Sequence, residues 1–166
     1  MRQKIIVISG SGGMGKSTFV SLCNQFNDKV VEVSTVDEVK RIGIECGWDG
    51  TKTERNRAFL SDLKDLLEKW NDVPNKKIDE YIENHPEEII FINAREPHNI
   101  QYFKDKYKAI TVLVLNDSVE QVTSNHADME VYDFAYDYII DNNGDLEQLK
   151  ESAETFMSIA GLAPLY

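Results

Sequence analysis

Gly10-Ser11-Gly12-Gly13-Met14-Gly15-Lys16-Ser17, followed by Thr18, is the stretch whose reading decides the fold. It satisfies the pattern G-x-x-x-x-G-K-[ST] at every fixed position. The aliphatic run Ile5-Ile6-Val7-Ile8 precedes it, and Thr18 to Phe26 has helical character. Strand, glycine-rich loop and helix, in that order, turn backbone N–H groups inward around a phosphate. The glycines keep Cβ atoms out of the way. Gly10, Ser11, Gly12, Gly13, Met14, Gly15 and Thr18 are therefore expected to surround the phosphates of a nucleotide. Lys16 would reach the β- and γ-phosphates and Ser17 would ligate Mg²⁺. The plainer alternative is a glycine-rich turn opening an ordinary helix, and the flanking strand and helix favour the phosphate loop.

Working outward, Lys4–Ser9 reads as a buried central strand and Ser17–Asn27 as the helix facing the phosphates. Val30–Ser34 is a second short strand. Ser34 or Thr35 is placed to cap a helix running through Asp37, Val39, Ile42 and Ile44 to Gly47. After a turn at Trp48-Asp49-Gly50, Arg57 to Trp70 is an amphipathic helix with Phe59, Leu60, Leu63, Leu66, Leu67 and Trp70 at helical spacing. Pro74 breaks it, and Ile78, Tyr81 and Ile82 predict another helix, ended by His85-Pro86. Glu88–Asn93 and Ala109–Leu115 are further apolar strands, separated by a helix that opens at Pro97 and His98. Asn116 to Asp137 is acidic and weakly periodic. Tyr138-Ile139-Ile140 is a short strand, residues 141–144 a turn, and Leu146 to Ile159 the closing helix. Buried-type strands alternating with helices predict an α/β protein with a doubly wound parallel sheet. Ligands in such folds lie at the carboxyl ends of the strands, which brings Gly10, Asn93, Arg95 and Asn116 together.

A chain of 166 residues is expected to form one compact domain. The formal charge of −11 argues against a nucleic-acid backbone or an anionic membrane as main partner, while a small phosphorylated molecule in a locally cationic cleft stays open. Cys23 and Cys46 suggest no disulfide framework or zinc site, only buried or semi-buried thiols in a reducing cytoplasm. The opening Met1-Arg2-Gln3-Lys4 and four aliphatics superficially look like a signal peptide, but the apolar run is too short and is interrupted by glycines and Lys16. No other stretch reaches membrane-spanning length, so a cytoplasmic protein is expected.

GTP-binding switch proteins carry an Asn-Lys-x-Asp motif after a late strand; Leu115-Asn116-Asp117-Ser118 lacks the lysine. The loop is similar to that of partition-type ATPases, but these place a second lysine where Ser11 stands. Small-molecule kinases remain, in which a helical insert after the second strand holds the phosphoryl acceptor. Residues 35–86 have that length and character. Phe91-Ile92-Asn93-Ala94-Arg95-Glu96, with Ile100-Gln101-Tyr102-Phe103, resembles a strand and arginine turn of nucleoside monophosphate kinase-like proteins, nearest in pattern to phage deoxynucleoside monophosphate kinases and animal-type phosphomevalonate kinases. Tyr138 to Leu146 resembles their last strand and adenine loop, also seen in dephospho-coenzyme A kinases. Arg57 to Lys64 resembles the acceptor-side helix of small bacterial and phage members. The resemblance implies a phosphate-loop three-layer αβα sandwich, an acceptor-side insert at 35–86, a short acidic lid at 116–137, and ATP with Mg²⁺ as cofactors. It implies transfer of the γ-phosphoryl group to a small acceptor, first a (deoxy)nucleoside monophosphate, alternatively another phosphomonoester of the coenzyme A precursor or phosphomevalonate type. A nucleotide-binding regulatory module that hydrolyses ATP slowly or not at all is the rival from another class.

Two departures from the family pattern stand out. Relatives place Asp at the end of the central strand, where this chain has the uncharged Asn93. Such kinases also close an arginine-bearing lid, whereas no Lys or Arg lies between Lys108 and Lys150, and His126 is the one potential cation of the lid. Loss of such a charge can cost about 10³–10⁵ in rate.

The remaining candidates carry two readings each. Arg95 is placed to fork onto a substrate phosphate, or to pair with a neighbouring acid. Arg57 and Lys64, two helical turns apart, share a face that would clamp the acceptor, with Arg55, Lys40 and Arg41 as weaker candidates; helix-surface cations are otherwise solvated. Asp62 would orient Arg57 or the acceptor, or be a solvated carboxylate. Asp37 would contact a sugar or assist Mg²⁺, but an acid at a helix start more often serves the dipole. Trp48 would stack on a base or anchor its turn. Asn142, Asn143 and Gly144 would contact adenine, mostly through backbone, or simply form a strand-to-helix turn. His85 and His98 read as loop or capping residues.

Overall fold

The structure, a computed structural model, describes residues 3–119 and 130–164. Five parallel strands, β1 (Lys4–Ser9), β2 (Val30–Ser34), β3 (Ile89–Asn93), β4 (Ile110–Leu115) and β5 (Tyr138–Asp141), form one sheet in the order β2-β3-β1-β4-β5. The helices are α1 (Lys16–Phe26), α2 (Asp37–Glu45), α3 (Glu54–Asn71), α4 (Val73–Asn84), α5 (Pro97–Tyr107) and α6 (Leu146–Ile159). β1 is central because it is apolar on both faces: Ile6 and Ile8 join the core on the α1 and α6 side, Ile5 and Val7 the core under α4 and α5. Full burial of such a side chain stabilises by about 1.5–3 kcal/mol. The expected three-layer α/β architecture is the one observed. The register sets Ser34 beside Asn93, Asn93 beside Ile8, and Ser9 beside Leu113, so the strand ends form one rim.

Several boundaries differ from expectation for local reasons. α3 begins at Glu54, three residues early, because the Thr53 hydroxyl accepts the Asn56 N–H and caps it. It ends at Asp72, whose left-handed backbone (φ 51°) also opens α4, so Pro74 lies within the first turn of the next helix. Neither Ser34 nor Thr35 caps α2. Instead Asp37 turns back to accept the Ser34 N–H at 2.8 Å, and the Ser34 hydroxyl accepts the Val36 N–H at 3.3 Å. Cys23 is buried, with its thiol pushed up to about 12 by burial, whereas Cys46 is exposed just beyond α2. Of the expected lid, residues 120–129 lie outside the described residues. Among the described residues no helix is long and apolar enough to cross a membrane.

Candidate nucleotide and phosphoryl-transfer site

The loop from Gly10 to Ser17 leaves β1 and enters α1. Gly10 has φ 144°, and a Cβ there would stand 2.7 Å from the Val114 carbonyl oxygen. Gly10→Ala is therefore expected to lower stability by about 1–3 kcal/mol, measured as a reduced urea midpoint. Gly13 and Gly15 also have positive φ, 80° and 94°. Gly15 opens α1 without a side-chain cap and no acid stands in its first turn, so the first N–H groups of the helix are left for an anion.

The loop is braced by its neighbours. The Asn142 amide donates to the Met14 carbonyl at 2.9 Å, and its Nδ2 lies 2.4 Å from where a Gly15 Cβ would be. The Asn142 backbone N–H donates to Leu115 at 2.7 Å. Asn143 accepts the Asp117 N–H at 2.7 Å and donates to its carboxylate at 3.2 Å. Asn142 and Asn143 thus spend their side chains on holding the loops together, Asn142 against Met14 and Asn143 against Asp117. On another side, the Tyr132 hydroxyl stands 3.2 Å from Ser11 Oγ.

Lys16 is buried, and its ammonium donates to the Gly10 carbonyl and, at 3.1 Å, to that of Ser11. Ser17 Oγ donates to Glu32 Oε1 at 3.0 Å, and the Asn93 amide donates to the same oxygen at 3.3 Å. Three strands thereby converge on one point: a hydroxyl after β1, a carboxylate from β2 and an amide at the end of β3. The sequence reading missed Glu32. Its signal was an acid interrupting the apolar strand Val30-Val31-Glu32-Val33, which only pairing with β3 turns into a position beside Ser17. Hard oxygen donors next to an uncapped helix start suit Mg²⁺ and a phosphate chain, so the residues present fit both cofactors.

On the acceptor side, Arg95 follows β3 by two residues and is half-buried. Arg57 and Asp62 are exposed on α3, and Asp37 is bound to the Ser34 N–H. Arg41 lies between Glu38 (2.7 Å) and Glu45 (2.8 Å), and Trp48 donates to the Thr51 carbonyl at 3.0 Å. Lys64 has a different environment. Its buried ammonium contacts Glu68 at 2.6 Å and pairs with Glu96, tying α3 to the start of α5. Around it, His98 meets Glu68 at 2.9 Å and Asn99 donates to Glu68 at 3.0 Å. Glu68, Glu96 and His98 are close enough to share a cation, and the Lys64 ammonium already supplies one.

Burial alone would raise the Glu68 carboxyl, but hydrogen bonds from His98 and Lys64, the Lys64 charge and Asn99 outweigh it and bring it down to about 2. The hydrogen bond with Glu68 raises His98 against the effect of burial. The Glu68 contribution to stability is thus present above its unfolded value of about 4.5 and is lost as pH falls toward 2. The His98 contribution is present below about 6.5 and is lost as pH rises through its raised folded value. Urea midpoints are expected to peak between these limits, and Glu68→Gln should flatten the acid side. Lys64→Met, which removes the ammonium between the buried Glu96 and the partly buried Glu68, is expected to cost about 3–5 kcal/mol in the same measurement.

No family model matches the sequence, and no curated protein matches it. Solved structures do. A sugar kinase from Janibacter sp. HTCC2649 superposes with a TM-score of 0.59 at 14% identity, covering 98% of this chain and 99% of that one. A protein from Thermus thermophilus gives 0.57 at 17%, covering 99% and 100%. The shikimate kinase of Aquifex aeolicus gives 0.55 at 18%, covering 95% and 96%. At these identities the likeness speaks for the fold: the chain has the parallel α/β fold that these structures share.

Proposed function

We propose that the protein is an ATP- and Mg²⁺-dependent small-molecule kinase. The observation that carries this reading is the junction of Ser17, Glu32 and Asn93 beside Lys16. A phosphate loop alone needs only to hold phosphates. A carboxylate aimed at its serine hydroxyl adds what a metal-assisted transfer requires and what Asn93 cannot bring, a negative charge. Bound ATP and Mg²⁺ would supply the phosphoryl group and the principal cation. The loop N–H groups hold the phosphates, Lys16 offsets charge on the migrating group, and Ser17 with Glu32 holds the metal. Arg95 and Arg57 orient the acceptor, and the 142–144 backbone borders the adenine.

A (deoxy)nucleoside monophosphate is the first acceptor, on the resemblance of the Asn93–Arg95 and Arg57–Lys64 segments. Its phosphate is already ionised and needs no base. A hydroxyl acceptor is the second reading. Glu32 favours it, because a carboxylate beside the transfer point can also receive a hydroxyl proton. Two of the similar folds bear names of hydroxyl-compound kinases, a sugar kinase and a shikimate kinase. Incubating the protein with ATP, Mg²⁺ and a panel of nucleoside monophosphates, sugars and other hydroxyl or phosphomonoester acceptors, with ADP release and product mass as readouts, tests this. Turnover on one acceptor class identifies the substrate. ATP binding without acceptor-dependent turnover would favour the regulatory module and overturn the kinase.

A further inference from the structure

α3 has two unlike faces. Its inner face packs Leu60, with one edge of the Phe59 ring, against Gly43 of α2 and sends Lys64 into the buried cluster at α5. Its outer face carries Phe59, Leu63, Leu66 and Trp70. Leu63 is half-buried, while Phe59, Leu66 and Trp70 are 37%, 63% and 80% exposed. Single exposed apolar side chains are ordinary on a protein surface. Four in a 4-3-4 spacing along one edge of one helix form the seam by which two helices pack. Eighteen residues give that seam a length of about 27 Å.

We propose that this seam is the interface of a two-fold dimer, with α3 of a second copy lying antiparallel along it. Charge decides the occupant and its direction. Asp62 and Lys69, seven residues apart, line one flank of the seam, and the half-buried Leu67 lines the other, next to the Leu60 that packs inward on Gly43. In an antiparallel pair like flanks meet, so charged edge faces charged edge and apolar edge faces apolar edge. A two-fold axis between Leu63 and Leu66 sets Phe59 of each copy against Trp70 of the other. It also leaves each Asp62 within about 3 Å, measured along the axis, of the second copy's Lys69. The symmetry makes that ion pair twice. A parallel pair would instead lay the charged flank on the apolar one. Because the seam is a single pair of helices, association in the micromolar range is expected.

Analytical ultracentrifugation of the whole chain over about 1–100 µM tests the proposal. The wild type is expected to pass from monomer to dimer, and Leu66→Glu with Trp70→Glu to stay monomeric. Because both side chains are largely exposed, the far-UV circular dichroism and ATP affinity of that variant should be unchanged. Asp62→Lys alone should weaken dimerisation about tenfold, and Asp62→Lys with Lys69→Asp should restore it. A wild type monomeric throughout, a dimer that survives the Leu66 and Trp70 changes, or a charge exchange that fails to restore association would each overturn it.

Discussion

Lys16→Ala is expected to reduce acceptor-dependent ADP release by at least about 10³-fold while leaving a folded protein. The ammonium is buried and held by the carbonyls of Gly10 and Ser11, so it sits inside the loop before any phosphate arrives. A phosphate chain would exchange those carbonyls for anionic oxygens and leave the charge where the phosphoryl group migrates. Two other described cations are already committed. Lys64 is engaged by two carboxylates and Arg41 by two more. Lys16→Arg should not rescue turnover, because a planar fork does not fit a pocket shaped for a compact ammonium. Calorimetric titration with ATP and a coupled ADP assay separate lost binding from lost transfer. Retention of more than a tenth of wild-type turnover by Lys16→Ala would contradict the role given to this lysine.

Glu32→Gln is expected to lower turnover by about 10²–10³-fold and to raise the Mg²⁺ concentration needed for half-maximal rate. Glutamine keeps an oxygen that can accept from Ser17 and Asn93, so the loop should hold its shape. Only the charge is removed, and Asn93 has none to offer. Asn93→Asp in the Glu32→Gln background should recover about tenfold, because the two side chains address the same point. A Mg²⁺ titration of rate is the measurement. An unchanged titration in Glu32→Gln would place the metal elsewhere. The Lys16 and Glu32 results also differ in kind: the first should persist at saturating Mg²⁺, while the second should be partly relieved by it.

The glycine loop and the sheet were legible in the chain because their determinants are local. Gly10 to Ser17 carries its own geometry in glycines that need positive φ or close backbone approach, and Ile5 to Ile8 and Ile89 to Ile92 are apolar on both faces because both faces are covered. The 141–144 loop was legible as a turn, but not the use of Asn142 and Asn143 as braces, which depends on Met14 and Asp117 arriving from distant segments. Lys64 and Arg57 share a helical face in sequence. Only the docking of α3 onto α5 adds Glu96 to the Glu68 already one turn away on α3, while Arg57 stays exposed.

The outer edge of α3 was readable as periodicity but not as exposure, since Phe59, Leu66 and Trp70 look like core residues until the other helices take their places. By itself, then, the sequence determined the glycine loop between β1 and α1 and that the fold is a parallel α/β sheet, because glycine stereochemistry and hydrophobic periodicity act over a few residues. Only the tertiary structure decided which carboxylate stands beside Ser17 and which cation is committed to an ion pair. Those pairings join side chains up to 32 residues apart, across strand register and helix docking that no local pattern encodes.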